Sequence, residues 1–240
     1  MKPGYKINEI DCYFGGKGGS GVYQNIINCI RPHDRLIIPF LGHCAVLRYM
    51  KPAATTICID ASAQIIQKWQ SMNIPYIQLI HGNGIEYLEN IKFNEKERTV
   101  IYCDPPYPLN SRKSSKDRYN YELSDENHIN LLKIIKSLDC DVLISSYKNS
   151  LYEETLKNRN LKTYKSQTRR YTATEYLYMN YTNKEGLLHD YSYIGENYRD
   201  RERIAKKIKR WSENIQVLPA TERNAILAAL KKENGSYRHL

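Results

Sequence analysis

Short apolar segments alternate with helix-length segments along most of this chain, and this alternation constrains the fold more than any other feature. The apolar segments lie at residues 36–41, 55–60, 76–82, 99–104 and 141–147. Segments with helical spacing lie at residues 22–30, 61–72, 85–91, 126–138 and 150–158. Strands that alternate with helices in this way are typical of parallel sheets with helices on both faces. The sequence therefore predicts an α/β fold with a Rossmann-like, doubly wound, mostly parallel sheet.

Two further strand-like segments, residues 161–167 and 172–181, follow one another closely and predict an antiparallel hairpin at the end of this region. Together with the five earlier segments they predict a sheet of seven strands. Within the helix at residues 126–138, Ser124 is placed to cap the first turn. Ile129, Leu132 and Ile135 are predicted to form its buried side.

The charge balance suggests a polyanionic partner, because the chain carries a formal net charge of +10. A genome of low GC content, which enriches lysine, is the alternative explanation. No apolar run is long enough to span a bilayer, so no membrane partner is expected. The N-terminus lacks the apolar core of a signal peptide, and the six cysteines form no C-x-x-C pair or metal-ligand spacing. We therefore expect a cytoplasmic protein with reduced cysteines and no metal site.

The composition changes near residue 183, which predicts a domain over residues 1–183 and a basic helical extension over residues 184–240. Between Glu196 and Arg210 there are seven basic and three acidic residues. This segment is predicted to contact nucleic acid. The alternatives are a solvated surface helix, or packing through an apolar stripe that contains Ile204, Ile208 and Trp211.

Four of the predicted strands end in residues that suit a ligand site. The first is followed by Gly42, the second ends in Asp60, the third is followed by Asn83, and the fourth ends in Asp104. In open α/β sheets, ligands bind outside the carboxyl ends of the strands. An acid after the second strand suits ribose hydroxyls, and an amide suits an adenine edge. A simple turn or a helix cap is the alternative explanation for each of the first three.

The fourth strand end is the most specific, because it continues as Asp104-Pro105-Pro106-Tyr107. The Asp104 carboxylate and the Pro105 carbonyl place two hydrogen-bond acceptors on one rigid turn, since proline fixes the backbone. Tyr107 offers a flat face for stacking. Two acceptors beside an aromatic ring suit an exocyclic amine: they accept both N–H bonds and leave the nitrogen lone pair free to attack.

With "YFGGKGG" upstream and "PFLG" between, "DPPY" resembles the Dam-type family of N6-adenine-specific DNA methyltransferases. The resemblance covers roughly residues 10–183, with the cofactor motifs first. It implies S-adenosylmethionine as the cofactor and Asp104, Pro105, Pro106 and Tyr107 as the catalytic motif. It also implies the following cofactor-binding residues: Tyr13, Gly15, Gly16, Lys17, Pro39, Phe40, Gly42, Asp60, Asn83 and Asp104. Lys17 is expected to contact the cofactor carboxylate.

The sequence departs from this family in three places. His43 and Cys44 stand in the cofactor loop where the family commonly has a second small residue, and Asn83 replaces an aspartate. Only about fifteen residues separate Leu88 from Asp104, although members often carry a target-recognition insert there. Recognition is therefore expected from the basic segments at residues 108–121 and 157–170. The candidate DNA-binding residues are Lys113, Arg118, Tyr119, Arg169 and Arg170.

The predicted function is site-specific methylation of adenine N6 in duplex DNA, with the target adenine flipped out. A cognate restriction endonuclease is left open as a further partner. One alternative is the same chemistry on RNA or single-stranded DNA, which the missing insert favours. The other is a catalytically silent nucleic-acid-binding module, against which the intact "DPPY" argues.

Overall fold

A computed structural model describes residues 17–19, 21–108, 111, 121–167 and 172–235. Within these ranges the strands are β1 Arg35–Ile38, β2 Thr55–Asp60, β3 Ile77–His81, β4 Thr99–Cys103, β5 Asp141–Ser146, β6 Asn160–Gln167 and β7 Thr172–Met179. The helices are α1 Val22–Ile27, α2 Ala45–Tyr49, α3 Ala63–Ser71, α4 Gly84–Glu89, α5 Asp125–Ser137, α6 Ser150–Thr155, α7 Tyr198–Gln216 and α8 Ala220–Gly235. These elements match the predicted segments, except that the short helix α2 was not predicted.

The strands form one seven-stranded sheet in the order β3-β2-β1-β4-β5-β7-β6. β1 to β5 pair in parallel, and β7 pairs antiparallel with both β5 and β6. The predicted Rossmann-like, doubly wound, seven-stranded sheet is therefore confirmed. The strand order reverses between β1 and β4, and in such sheets this switch point opens a crevice at the carboxyl ends of the strands.

The buried side chains divide between the two faces of the sheet, because successive residues of a strand point in opposite directions. In β4, Tyr102 lies in the cluster that includes α1, α2 and α3, whereas Ile101 and Cys103 lie in the cluster that includes α5 and α6. All five residues of β4 are buried. Because β4 is buried along its whole length, it holds Asp104 in a fixed position at the carboxyl edge of the sheet.

Helix α5 is capped as predicted, and two of the three residues predicted for its apolar side are buried. The Ser124 hydroxyl accepts a hydrogen bond from the backbone N–H of Asn127 at 3.2 Å. Leu132 and Ile135 are buried, but Ile129 is 39% exposed, so its predicted place on the buried side was wrong. At about 100° per residue, Ile129 falls at the edge of the stripe centred on the buried positions.

The chain divides into two compact units, residues 1–193 and 194–240. Residues just before this boundary are bonded to earlier parts of the first unit. The Asp190 carboxylate accepts a hydrogen bond from the backbone N–H of Lys51 at 2.8 Å, and the Tyr193 hydroxyl donates to the carbonyl of Tyr49 at 3.1 Å. A truncation that preserves the first unit should therefore end at Tyr193.

The second unit contains α7 and α8, and no residue of α7 is buried. Three ion pairs lie along α7, between Asp200 and Arg203, Glu202 and Lys206, and Lys209 and Glu213. The side chains of Ile208 and Trp211 are 51% and 56% exposed. The predicted apolar stripe therefore exists on this helix, but it is not buried. No helix among the described residues is long and apolar enough to cross a membrane.

Two stacked histidines connect the last residues of the first unit to the segment that precedes β1. The rings of His33 and His189 stack with their centroids 3.8 Å apart, and the backbone N–H of His189 donates to the carbonyl of Ile30 at 3.0 Å. Burial, and next the neighbouring His189, lower the pKa of His33 from 6.5 to about 4. His33 is therefore neutral in the folded protein at neutral pH.

We expect acid to destabilise the first unit through this histidine. The folded state binds fewer protons than the unfolded state between pH 4 and 6.5, so the stabilisation is complete above pH 6.5 and is lost as the pH falls towards 4. The free energy of unfolding should decrease by about 2.5 kcal/mol from pH 7 to about pH 4.5. Urea unfolding of the wild type and of His33→Gln at both pH values tests this. Equal pH dependence in the two proteins would contradict it.

Candidate active site

The candidate site lies at the switch point of the sheet. β1 and β4 are adjacent, and both carboxyl ends lead into loops that contain predicted site residues. Pro39, Phe40 and Gly42 follow β1, and Asp104 and Tyr107 follow β4. The fold thus brings the predicted cofactor loop and the predicted catalytic motif to the same edge.

Asp60 holds the loop that follows β1. Its Oδ2 accepts a hydrogen bond from the backbone N–H of Gly42 at 2.7 Å, and its Oδ1 accepts one from the N–H of Ser62 at 2.8 Å. On the other side of the loop, the indole N–H of Trp69 donates to the carbonyl of Gly42 at 2.8 Å. Gly42 has a φ of +46°, in the left-handed region that favours glycine. The loop is thus held from both sides.

The loop after β3 packs directly against the loop after β1, and a glycine permits this. A Cβ on Gly84 would lie 1.9 Å from the carbonyl oxygen of Pro39, so only glycine allows so close an approach. The preceding residue, Asn83, caps α4 by accepting a hydrogen bond from the N–H of Ile85 at 2.9 Å. Its amide also donates to Glu86 at 3.2 Å. Asn83 therefore has the helix-capping role that was the alternative to adenine binding, while its side chain stays exposed.

Lys17 lies in a buried charged cluster with the catalytic motif. Its Nζ is 3.3 Å from Oδ1 of Asp104 and 2.9 Å from Oε2 of Glu175, and it also contacts the hydroxyl of Tyr107. The Lys17 side chain is only 6% exposed. We refer to Lys17, Asp104, Tyr107 and Glu175 as the catalytic cluster.

Glu175 is the member of this cluster that sequence reasoning missed. It lies on β7 and accepts hydrogen bonds from the Tyr107 hydroxyl at 2.7 Å and from the Ser166 hydroxyl at 2.9 Å. It is 4% exposed. Glu175 is the one charged residue of β7, and this is the signal that could have identified it, because a buried carboxylate requires charged or polar partners.

Burial and opposite charges set the protonation states in the cluster. Burial would lower the pKa of Lys17, but Asp104 and Glu175 raise it well above its ordinary value. Burial would raise the pKa of Glu175, but Lys17 and the hydrogen bonds hold it below the ordinary range. For Asp104, burial outweighs the charge of Lys17, so its pKa is raised. With both carboxylates ionised and Lys17 protonated, the cluster has a net charge of −1.

The Tyr107 ring is nearly enclosed. It is 8% exposed and meets the ring of Tyr147 edge to face, with the centroids 4.7 Å apart. Its hydroxyl faces Glu175, so the phenol contributes a hydrogen bond as well as an aromatic face. Pro105 is buried beside it, which fixes the turn that carries the Asp104 carboxylate.

The structure therefore brings together the described residues of the predicted site in two groups. Lys17, Asp104 and Tyr107 meet in the catalytic cluster, and Gly42 and Asp60 form the neighbouring loop. Pro39, Phe40, Asn83, Pro105 and Pro106 lie in the loops after β1, β3 and β4. Eight further candidates lie outside the described residues: Tyr13, Gly15, Gly16, Lys113, Arg118, Tyr119, Arg169 and Arg170. Their assigned roles stay predictions, and among the described residues no group of side chains could hold a metal ion.

Residues 85–172 match the family of D12 class N6 adenine-specific DNA methyltransferases. This match confirms the predicted resemblance. The matched segment includes β4, the predicted catalytic motif, β5 and β6. The match supports methyltransferase activity with S-adenosylmethionine as the cofactor. A search of curated proteins finds no match to the chain.

Solved structures with a similar arrangement include several methyltransferases of low sequence identity. An rRNA methylase from Streptococcus thermophilus is 9% identical, with a TM-score of 0.40 over 66% of this chain and 92% of its own. Magnesium protoporphyrin IX methyltransferase from Synechocystis PCC 6803, solved with bound SAM, is 11% identical, with a TM-score of 0.42 over 67% and 76%. The N-methyltransferase NodS from Bradyrhizobium japonicum WM9 is 10% identical, with a TM-score of 0.38 over 62% and 85%.

The loop beside Asp60 fits an S-adenosyl cofactor. Each carboxylate oxygen of Asp60 accepts one backbone hydrogen bond, and a carboxylate has about four acceptor positions, so capacity remains for ribose hydroxyls. A Cβ placed on Gly42 would meet no atom within 4 Å, so the loop borders open space. Burial raises the pKa of Asp60, although the N–H groups of Gly42 and Ser62 oppose this.

Replacement of Asp60 by alanine should weaken cofactor binding. The change removes the proposed ribose acceptor and also frees the Gly42 loop. The loss of a charge-assisted hydrogen bond predicts an increase of about 10- to 100-fold in the dissociation constant for S-adenosylmethionine. Calorimetric titration measures it. Ser62→Ala, which removes only the cap of α3, is the matched control, and unchanged binding in Asp60→Ala would exclude Asp60 from the site.

Proposed function

We propose that this protein methylates the N6 amino group of adenine in DNA. The observation that carries the proposal is the catalytic cluster, in which a half-buried carboxylate and the adjoining proline carbonyl follow the central strand. Asp104 and Pro105 provide two acceptors whose separation is fixed by the turn. An exocyclic amine presents two N–H donors to such a pair, and its lone pair then points away from both acceptors.

The residues of the cluster favour transfer to a neutral amine. S-adenosylmethionine, when bound, supplies a methyl group on a positively charged sulfur. The N–C bond forms as the bond from the methyl carbon to sulfur breaks, so the amine is positively charged until it releases one N–H proton through Asp104. The net charge of −1 on the cluster stabilises this charge in a site of low dielectric. Asp104 is the nearest carboxylate to an amine held in this way, so it serves as acceptor and orienter. When Asp104 accepts a hydrogen bond from the substrate amine, the Lys17 ammonium is still held by Glu175, which lies 2.9 Å from it.

DNA as the substrate is supported by charge and by the family match. The chain carries a net charge of +10, and α7 places seven basic residues on a helix without buried positions. Three of these seven are in ion pairs with acids of the same helix. We propose that the remaining ones contact phosphates, and that Lys113, Arg118, Tyr119, Arg169 and Arg170 contact DNA near the target base.

RNA or single-stranded DNA is the second candidate substrate. The segment from Leu88 to Asp104 has room for the end of α4, one loop and β4, and it holds no recognition insert. An enzyme without such an insert has less protein surface with which to read a duplex sequence. Single-stranded substrates also avoid the cost of unpairing the target base.

Comparison of methyl transfer to three substrates tests the proposal. Purified protein is incubated with tritiated S-adenosylmethionine and duplex DNA, its separated strands, or RNA of the same sequence, and the products are digested to nucleosides. We expect N6-methyladenine from the duplex at the highest rate. A higher rate on the separated strands or RNA would favour the second candidate. The absence of transfer to all three, with the cofactor bound, would indicate a silent binding module.

Removal of the second unit should weaken DNA binding without affecting the cofactor. A chain that ends at Tyr193 keeps the bonds of Asp190 and Tyr193 to the first unit. Its affinity should fall for all sequences alike, and the salt dependence should become shallower by about 0.9 for each lost phosphate contact. Fluorescence anisotropy at several salt concentrations measures both. A truncated protein with the salt dependence of the full chain would contradict phosphate contact by α7.

A further inference from the structure

The contacts of Lys17 leave the cofactor carboxylate without its expected partner. The Lys17 ammonium is engaged by Asp104 and Glu175 and contacts the Tyr107 hydroxyl. An ammonium has three N–H donors, and these three groups satisfy them. A move of Lys17 towards the cofactor would leave the buried Glu175 and the half-buried Asp104 without their shared cation, which is costly.

Arg48 provides a second cation close to the same segment. Between residues 39 and 50, which include the loop after β1 and helix α2, Arg48 is the one arginine or lysine. A Cβ placed on Gly18, the residue after Lys17, would lie 3.7 Å from an Nη atom of Arg48. The positive charge of Arg48 also acts on the Cys44 thiol, which in turn responds to the charge of Asp104. Arg48 therefore belongs to the charged surroundings of the catalytic cluster.

The guanidinium of Arg48 has no carboxylate partner among the residues that the structure describes. Its Nε is buried and forms no hydrogen bond with a described residue, and the guanidinium lies over the ring of Tyr49, 5.4 Å from the centroid. A half-buried guanidinium gains most from a planar acceptor that can bind two N–H groups at once, which a carboxylate does. The described structure thus contains an unused carboxylate-binding group beside Gly18.

We propose that Arg48, and not Lys17, binds the carboxylate of the aminoacyl end of the cofactor. The inference rests on the proposed S-adenosylmethionine-dependent function. It assigns Lys17 to the catalytic cluster and gives Arg48 the role that the resemblance implied for Lys17. Arg48 then selects S-adenosyl ligands that retain the amino acid over those that lack it.

Binding of two ligands that differ at this end tests the proposal without any turnover. S-adenosylhomocysteine carries the carboxylate, whereas 5′-methylthioadenosine has the same adenosine and thioether without the amino acid. In Arg48→Met we expect binding of S-adenosylhomocysteine to weaken by about 10- to 100-fold, with binding of 5′-methylthioadenosine unchanged within about twofold. Arg48→Lys keeps the charge but lacks the paired N–H groups of the guanidinium. Its affinity for S-adenosylhomocysteine should therefore lie between those of Arg48→Met and the wild type. Calorimetric titration gives both constants.

Two controls separate this role from structural damage. Arg98→Met removes an arginine that pairs with Asp34 before β1, and binding of both ligands should stay as in the wild type. Lys17→Met should not show a carboxylate-specific loss. Equal weakening of both ligands in Arg48→Met, or a carboxylate-specific loss in Lys17→Met alone, would overturn the proposal. If adenine methylation fails but the ligand discrimination holds, the proposed substrate is wrong and the assignment of Arg48 stands.

Discussion

Asp104→Ala should abolish methyl transfer and leave the cofactor bound. The substitution removes one of the two acceptors that orient the target amine. A charged acceptor that is already oriented contributes a large part of the stabilisation of the transition state. We expect kcat to fall by about 1,000-fold or more, with the dissociation constant for S-adenosylhomocysteine changed by no more than about fivefold. Single-turnover transfer and calorimetric titration measure the two quantities separately.

The matched control is Asp139→Ala, which removes an exposed acid from the turn before β5. Its transfer rate should equal that of the wild type. Asp104→Asn keeps an acceptor oxygen and the shape of the side chain, so thermal unfolding of this variant should resemble that of the wild type. Weakened cofactor binding with normal turnover at saturation in Asp104→Ala would assign Asp104 to the cofactor and not to the amine.

The raised pKa of Asp104 adds a pH signature to the same assignment. Protonation replaces an acceptor by a donor, so the rate should fall as the pH decreases through the pKa of this carboxyl, which lies above 3.8. A pH profile of kcat/KM for the wild type should therefore show an acid limb. The limb should be absent from the residual activity of Asp104→Asn, since this variant has no carboxyl to protonate.

The sheet could be predicted from sequence because its signals are local. Each parallel strand is a short run rich in apolar residues, and the runs are bounded by residues that end strands, such as the prolines after Asp104. The carboxyl ends of β1, β2 and β4 then had to share one edge, which brought Gly42, Asp60 and Asp104 together. Helix α2 was missed because it is only five residues long, which is too short to show a helical periodicity.

The partners within the site could not be predicted, because they depend on distant parts of the chain. Lys17 and Glu175 are 158 residues apart, and they meet because β7 lies antiparallel between β5 and β6. The resemblance gave Lys17 a role at the cofactor, whereas the described contacts of its amine are with the cluster. The role of Asn83 could not be predicted for a different reason. An asparagine at this strand end can either cap the next helix or bind adenine, and the sequence is the same in both cases.

Glu175→Gln should lower the transfer rate while leaving the cofactor affinity unchanged. The substitution keeps the shape of the side chain but removes its charge, so Lys17 retains Asp104 as its one carboxylate partner in the cluster. Asp104 is then held more strongly by Lys17 and is less available to the target amine. The net charge of the cluster also rises from −1 to zero, which removes the electrostatic stabilisation of a positively charged amine. We expect kcat to fall by about 10- to 100-fold.

Ser166→Ala is the matched control, because it removes the neutral hydrogen bond to Oε1 of Glu175 and leaves Lys17 and Tyr107 in place. Its rate should fall by less than about threefold, as expected for one neutral hydrogen bond. Tyr107→Phe removes the hydroxyl that donates to Oε2 of Glu175. If Glu175 acts partly through this hydroxyl, the double variant Glu175→Gln with Tyr107→Phe should lose less activity than the two single losses multiplied. A wild-type kcat in Glu175→Gln would limit Glu175 to stabilising the fold. Strictly multiplicative losses would mean that Glu175 affects the rate independently of the Tyr107 hydroxyl.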